Sequence, residues 1–291
     1  MDFLRHRIER QVISLTGLVL GGIDYERPKG DPGLFGPGSV CWRVHGDFPS
    51  MLCGGISALM LQMLHPLALA GVWDHSNFRD DMIGRLRRTS RFIAGTTFAS
   101  TADAERLIEQ VKRIHDNVKG TAPDGRPYSA NDPELLVWVH VAEVRSFLAS
   151  YLRYRNPGLS VADQDRYYDE VARIAEALGA VHVPRSRQAV DAYLASMRPQ
   201  LVFDERAAEV LSLLLAAPAP SRLTGLAGRV MTQAGLELLP AWARDMMGLR
   251  SGWLKRQAVE QGMHRLAPTL RWALRNGASH KARRRVGLAN R

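Results

Sequence analysis

Cysteine is scarce in this sequence: Cys41 and Cys53 are the two examples in 291 residues. Two cysteines build no disulfide framework, and neither belongs to a CxxC pair of the zinc-binding kind. No GxGxxG follows a strand-like segment, and there is no phosphate-binding loop, GxSxG elbow or HExxH helix. The usual signatures of dinucleotide enzymes, nucleoside triphosphatases, serine hydrolases and zinc peptidases are therefore missing. No alternating β-branched run reaches strand length with hairpin turns, and no repeat of 20 to 50 residues is visible. The opening residues, MDFLRHRIERQVISLTG, lack the cationic start, apolar run and small-residue cleavage site of a secretory leader. The expected compartment is the cytoplasm, with membrane association as a further expectation.

What is present is helical. Apolar spacing of three and four predicts helices near 3–20, 50–71, 79–94, 101–118, 133–154, 161–178, 186–198, 203–217, 222–247 and 251–276. Asp132 followed by Pro133 marks one start, an N-cap with proline at the first helical position. Residues 22 to 48 are rich in Gly and Pro and read as a long ordered loop. The expected fold is all-α, one large helical domain. Its expected parts are an N-terminal helix over 1–24, a main domain over 25–250, and a C-terminal helix with a basic tail over 251–291.

Two stretches raise questions of compartment and partner. Met51 to Trp73 contains no Asp, Glu, Lys or Arg and is long enough to span a bilayer. Gln62, His65 and Pro66 in its middle favour a buried core helix instead. The net charge is +10, and much of the excess lies in HKARRR at 280–285. A basic tail can meet an anionic membrane surface, but a solvated, frayed end is the expectation. The basic segments lack interleaved aromatics, so nucleic acid is not an expected partner.

The chemistry-bearing candidates are histidines. His65, His75, His115 and His140 lie in apolar or tightly patterned surroundings. In LIEQVKRIHDNV (107–118), His115 follows Val111 by four residues and Ile108 by seven, which places it on the apolar face of a helix. A buried imidazole needs partners for its ring nitrogens; a hydrogen-bonded core role is the commoner one, and a metal-ligand role is the alternative. Arg85 and Thr89 share a helix face four residues apart. Spacing alone leaves both a solvated face and a pocket edge open for them.

The ordered series GDPGLFGPGS (30–39), WRVHGD (42–47), LQMLHPLALAGVWDHSNFRDD (61–81), GRLRRT (84–89), VKRIHDNVKG (111–120) and PYSANDPELLVWVH (127–140) resembles the MpaB and rubber-oxygenase catalytic domain family. That family includes bacterial latex-clearing proteins and a fungal endoplasmic-reticulum oxygenase. The resemblance implies a globin-reminiscent helical fold holding haem b. It also implies dioxygen-dependent cleavage or oxidation of a carbon–carbon double bond in an isoprenoid or other apolar, lipid-like alkene. It assigns His115 as the axial iron ligand, with His140 in reserve, and Arg85 and Thr89 as the catalytic pair on the distal side. Arg85, alternatively a salt-bridge partner of a haem propionate, joins His65, His140 and Arg88 in the implied cofactor surroundings. Arg88 stands where the rubber oxygenases carry a lysine, and a guanidinium is a very poor iron ligand. Two other readings stay open: a non-haem iron site from His115, His140 and Glu143, and a haem-binding or peripheral membrane protein that is not an enzyme.

Overall fold

The computed structural model describes Arg5, Glu9, residues 22–216 and residues 222–289. The helix expected over 3–20 lies outside the described residues apart from Arg5 and Glu9.

Thirteen α-helices and one short β-hairpin make up the described chain. The first two helices are α1 (Val40–His45) and α2 (Phe48–Gln62). Then come α3 (Pro66–His75), α4 (Met82–Phe98) and α5 (Thr101–His115). The hairpin follows, with β1 (Lys119–Thr121) antiparallel to β2 (Pro127–Ser129). Next are α6 (Pro133–Tyr154), α7 (Val161–Leu178), α8 (Arg187–Met197) and α9 (Glu205–Leu215). The last four are α10 (Arg222–Glu237), α11 (Ala241–Met246), α12 (Trp253–Ala273) and α13 (Ala278–Arg285). The all-α expectation holds.

The core is the antiparallel pair α2 and α6. Gln62 Nε2 donates to Val139 O at 3.0 Å, and Trp138 Nε1 donates to Gln62 O at 3.1 Å. At the other end Arg155 lies 3.7 Å from Asp47. Gly54 makes the close approach between them: a Cβ there would meet Phe147 Cδ1 at 2.8 Å and Ser146 O at 3.0 Å. Trp138, Phe147, Leu61 and Leu148 are almost wholly buried around this seam.

The uncharged stretch 51–73 folds as two helices rather than one. Gln62 closes α2, and α3 restarts at Pro66 after a bend of 105°. His65 is the N-cap of α3, its Nδ1 accepting from Leu67 N at 3.3 Å. Pro66 at the first helical position has no N–H to orphan, which explains why the chain turns there. One further helix, α6, is long and apolar enough to cross a membrane, but most of it is buried in the protein.

Two further features depart from the sequence reading. The Gly- and Pro-rich stretch contains a helix, α1, capped by Ser39, whose Oγ accepts from Trp42 N at 3.1 Å. The basic tail is not frayed. Arg285 is 1% exposed. Its guanidinium donates to Asp31 O at 2.8 Å, Tyr25 O at 3.1 Å, Phe98 O at 2.8 Å and Ala99 O at 3.0 Å. Arg284 pairs with Glu26 at 2.6 Å. Arg284 and Arg285 thereby tie α13 to the loop before α1 and to the end of α4.

Candidate functional site

A cavity of about 550 Å³ runs between α2, α4 and α6, with α1 and the segment 271–283 at one end. The volume is that of an ordinary small-molecule site. Each long helix contributes one face. From α6 come Glu143, Phe147 and Tyr151, with its C-cap Arg155, at the four-residue spacing that stacks side chains on one stripe. From α4 come Arg85, Thr89, Ile93 and Phe98.

The cavity has a direction. Phe98 stacks edge-on against Trp42 at 5.5 Å, so the end of α4 meets α1. Arg85 is thirteen residues earlier, about 20 Å away along the helix axis. The end near α1 carries Arg43, Asp47, Arg155, Arg271, His280 and Arg283. Apolar side chains line the cavity as well, Leu59, Ile93 and Phe147 among them.

Arg85 and Thr89 are brought together on the cavity wall. Thr89 Oγ1 donates to Arg85 O at 3.3 Å, which leaves the hydroxyl oxygen able to accept. The Arg85 guanidinium has no hydrogen-bond or ion-pair partner among the described residues. Burial lowers its pKa to about 10, with Arg88 adding repulsion, so it stays cationic at neutral pH. A half-buried cation with no counter-ion is a ready site for negative charge.

Two cavity residues were not singled out for this place by spacing. Burial raises the pKa of Glu143 to about 7. No hydrogen-bond or ion-pair partner meets its carboxyl among the described residues. His45 is the second. Its Nδ1 lies 2.8 Å from Thr97 Oγ1, and its Nε2 lies 2.8 Å from Tyr167 OH. Burial, with His140 nearby, lowers its pKa to about 3, so the ring is neutral and both nitrogens are satisfied. A sequence signal existed for each: Glu143 sits one turn after His140, and His45 lies within the WRVHGD segment.

The other expected site residues lie elsewhere. Arg88 points outward, with Nη2 donating to Asn77 at 2.9 Å and Nη1 3.8 Å from Asp81. His65 caps α3 and packs on Trp138 at 6.0 Å. His115 ends α5 and is half-buried, while Ile114 beside it is 53% exposed. The apolar face of α5 thus leaves the core toward its C-terminus. Neither His115 nor His140 lines the cavity. Among the described residues no three His, Cys, Asp or Glu side chains sit close enough to share a metal ion. The triad of His115, His140 and Glu143 is therefore not assembled.

The implied haem can be tested against the donor chemistry. His115 Nδ1 and His140 Nε2 are both buried without a hydrogen-bond partner. Burial lowers the pKa of each, His140 to about 4, so both rings are neutral. A neutral imidazole with one open nitrogen is the form that ligates iron. An orphaned buried nitrogen costs about 1–3 kcal/mol, and a coordinate bond relieves it. The donor chemistry of either ring fits iron, although neither ring lines the cavity.

Residues 42–272 match the family described as ER-bound oxygenase mpaB/B'/Rubber oxygenase, catalytic domain. This chain belongs to that family. The match covers α2 through almost all of α12 and includes every cavity helix except α13. The family is one of oxygenases, so an oxidoreductase role follows at that level. No curated protein and no solved structure matches the chain.

Proposed function

We propose that this protein is a haem-dependent oxygenase acting on a carbon–carbon double bond of an apolar, isoprenoid-like molecule. The observation that carries the reading is the Arg85–Thr89 pair, a half-buried cation without a counter-ion beside a hydroxyl, on the wall of a largely apolar cavity. Family membership supports the oxygenase class. The open Nδ1 of His115 supports it as the residue that would hold the iron, with His140 the alternative. When bound, haem supplies the redox-active iron needed for dioxygen chemistry.

The chain's own residues supply the rest. Leu59, Ile93 and Phe147 exclude water and hold an apolar chain against the wall. Arg85 stabilises negative charge that develops on oxygen, more strongly than in bulk water because its surroundings are partly desolvated. The Glu143 carboxyl, about half protonated at neutral pH, holds a proton at the cavity surface.

Incubating the haem-loaded protein with squalene under oxygen, and trapping carbonyl products with a hydrazine, tests the proposal. Oxygen-dependent carbonyl product is expected, and Arg85→Leu is expected to lower its rate on the order of 100-fold. Absence of oxygen-dependent product from squalene and shorter prenyl alkenes would reject the reaction class.

A further inference from the structure

We propose that the cavity takes an amphipathic anion, with a carboxylate or phosphate head held by the arginines at the α1 end and an apolar chain running toward Arg85. This rests on the same cavity as the proposed function and narrows its substrate class.

Five arginines reach the cavity, Arg43, Arg85, Arg155, Arg271 and Arg283, against two carboxylates, Asp47 and Glu143. Asp47 is already shared: Arg271 donates to it from Nε at 2.7 Å and Nη2 at 3.0 Å, and Arg155 lies 3.7 Å away. Arg43 has a counter-ion outside the cavity, Asp163 at 2.9 Å. Arg283 spends its donors on a neutral carbonyl, Ala289 O at 3.1 and 2.8 Å, so its charge is not cancelled there. Four of the five arginines gather at the α1 end, and that end keeps an excess of positive charge. Arginine forks suit carboxylate and phosphate oxygens bidentately.

Apolar side chains make up much of the remaining wall, Leu52, Leu59, Ile93 and Phe147 among them. A neutral hydrocarbon would gain nothing from the charged end, and a small anion would leave the apolar wall uncovered. A chain with a charged head matches both.

Calorimetric titration of the purified full-length protein with dodecanoate and with dodecanol tests this directly, since the two differ only at the head. Dodecanoate is expected to bind at least tenfold more tightly, and the half-exposed Arg155→Gln is expected to erase most of that difference while leaving dodecanol binding unchanged. Equal affinity for the two ligands would overturn the proposal. So would loss of the haem absorption band as dodecanoate is added, because haem propionates would then be what the arginines hold. The titration involves no oxygen and no turnover. It therefore stands or falls apart from the oxygenase reading, which product formation tests.

Discussion

Arg271 and Asp47, separated by 224 residues of chain, form a two-pronged ion pair with Nε and Nη2 at 2.7 and 3.0 Å. Asp47 is also the N-cap of α2, its side chain accepting from Ser50 N at 3.3 Å. The same guanidinium donates to Tyr154 O at 2.8 Å, so one side chain joins α12, α2 and the end of α6 at the rim of the cavity.

Truncating that side chain leaves the buried carboxylate of Asp47, 7% exposed, with only the half-exposed Arg155 at 3.7 Å as a cation. Arg271→Ala is expected to destabilise the protein by about 3 kcal/mol, the lower end for breaking a buried pair. Arg271→Lys is expected to recover little, because an ammonium cannot serve Asp47 in two places and Tyr154 O as well. Urea unfolding of the two variants against the parent checks both statements.

The α2–α6 seam makes a second prediction. A Cβ at position 54 would lie 2.8 Å from Phe147 Cδ1 and 3.0 Å from Phe147 Cα. Backbone cannot move aside as a flexible side chain can. Gly54→Ala is expected to cost about 2 kcal/mol in urea unfolding, although alanine is the better helix former by about 1 kcal/mol. A gain in stability would show that the seam is looser than described.

Glu143 gives stability a pH dependence of definite sign. Its carboxyl is raised from 4.5 to about 7 in the folded protein. Ionising it therefore costs nothing below pH 4.5, costs progressively more as pH rises, and levels off above pH 7. The full penalty is about 3 kcal/mol. Glu143→Gln is expected to raise the melting temperature at pH 8 and leave it nearly unchanged at pH 4.5. A stabilisation that is equal at both values would mean that the carboxyl is not desolvated.

Much of the helical skeleton was legible because it rests on local periodicity. The range 133–154 for α6 and 161–178 for α7 matched residue for residue, and Asp132 caps α6 as its Pro133 suggested. What escaped was what depends on tertiary contact. The break at His65 was hidden in a uniformly apolar run, although Pro66 was in view. The three-residue strands fell below any sequence signal. A run of six mostly basic residues looked solvated, yet four backbone carbonyls brought together by distant loops bury Arg285. At the site, Arg85 and Thr89 were readable as a shared helix face. Glu143, His45 and the arginine rim were not readable as one place, because they meet only when α1, α2, α6 and α12 have packed.

The central claim is that His115 holds a haem iron, and an absorption spectrum tests it most directly. The purified protein, its His115→Ala variant and its His140→Ala variant would each be titrated with haem and then reduced with dithionite. The account predicts an intense Soret band that shifts on reduction in the parent and in His140→Ala, and its loss or displacement in His115→Ala. A parent spectrum with no bound-haem band would contradict the cofactor, and a band lost only in His140→Ala would contradict the ligand.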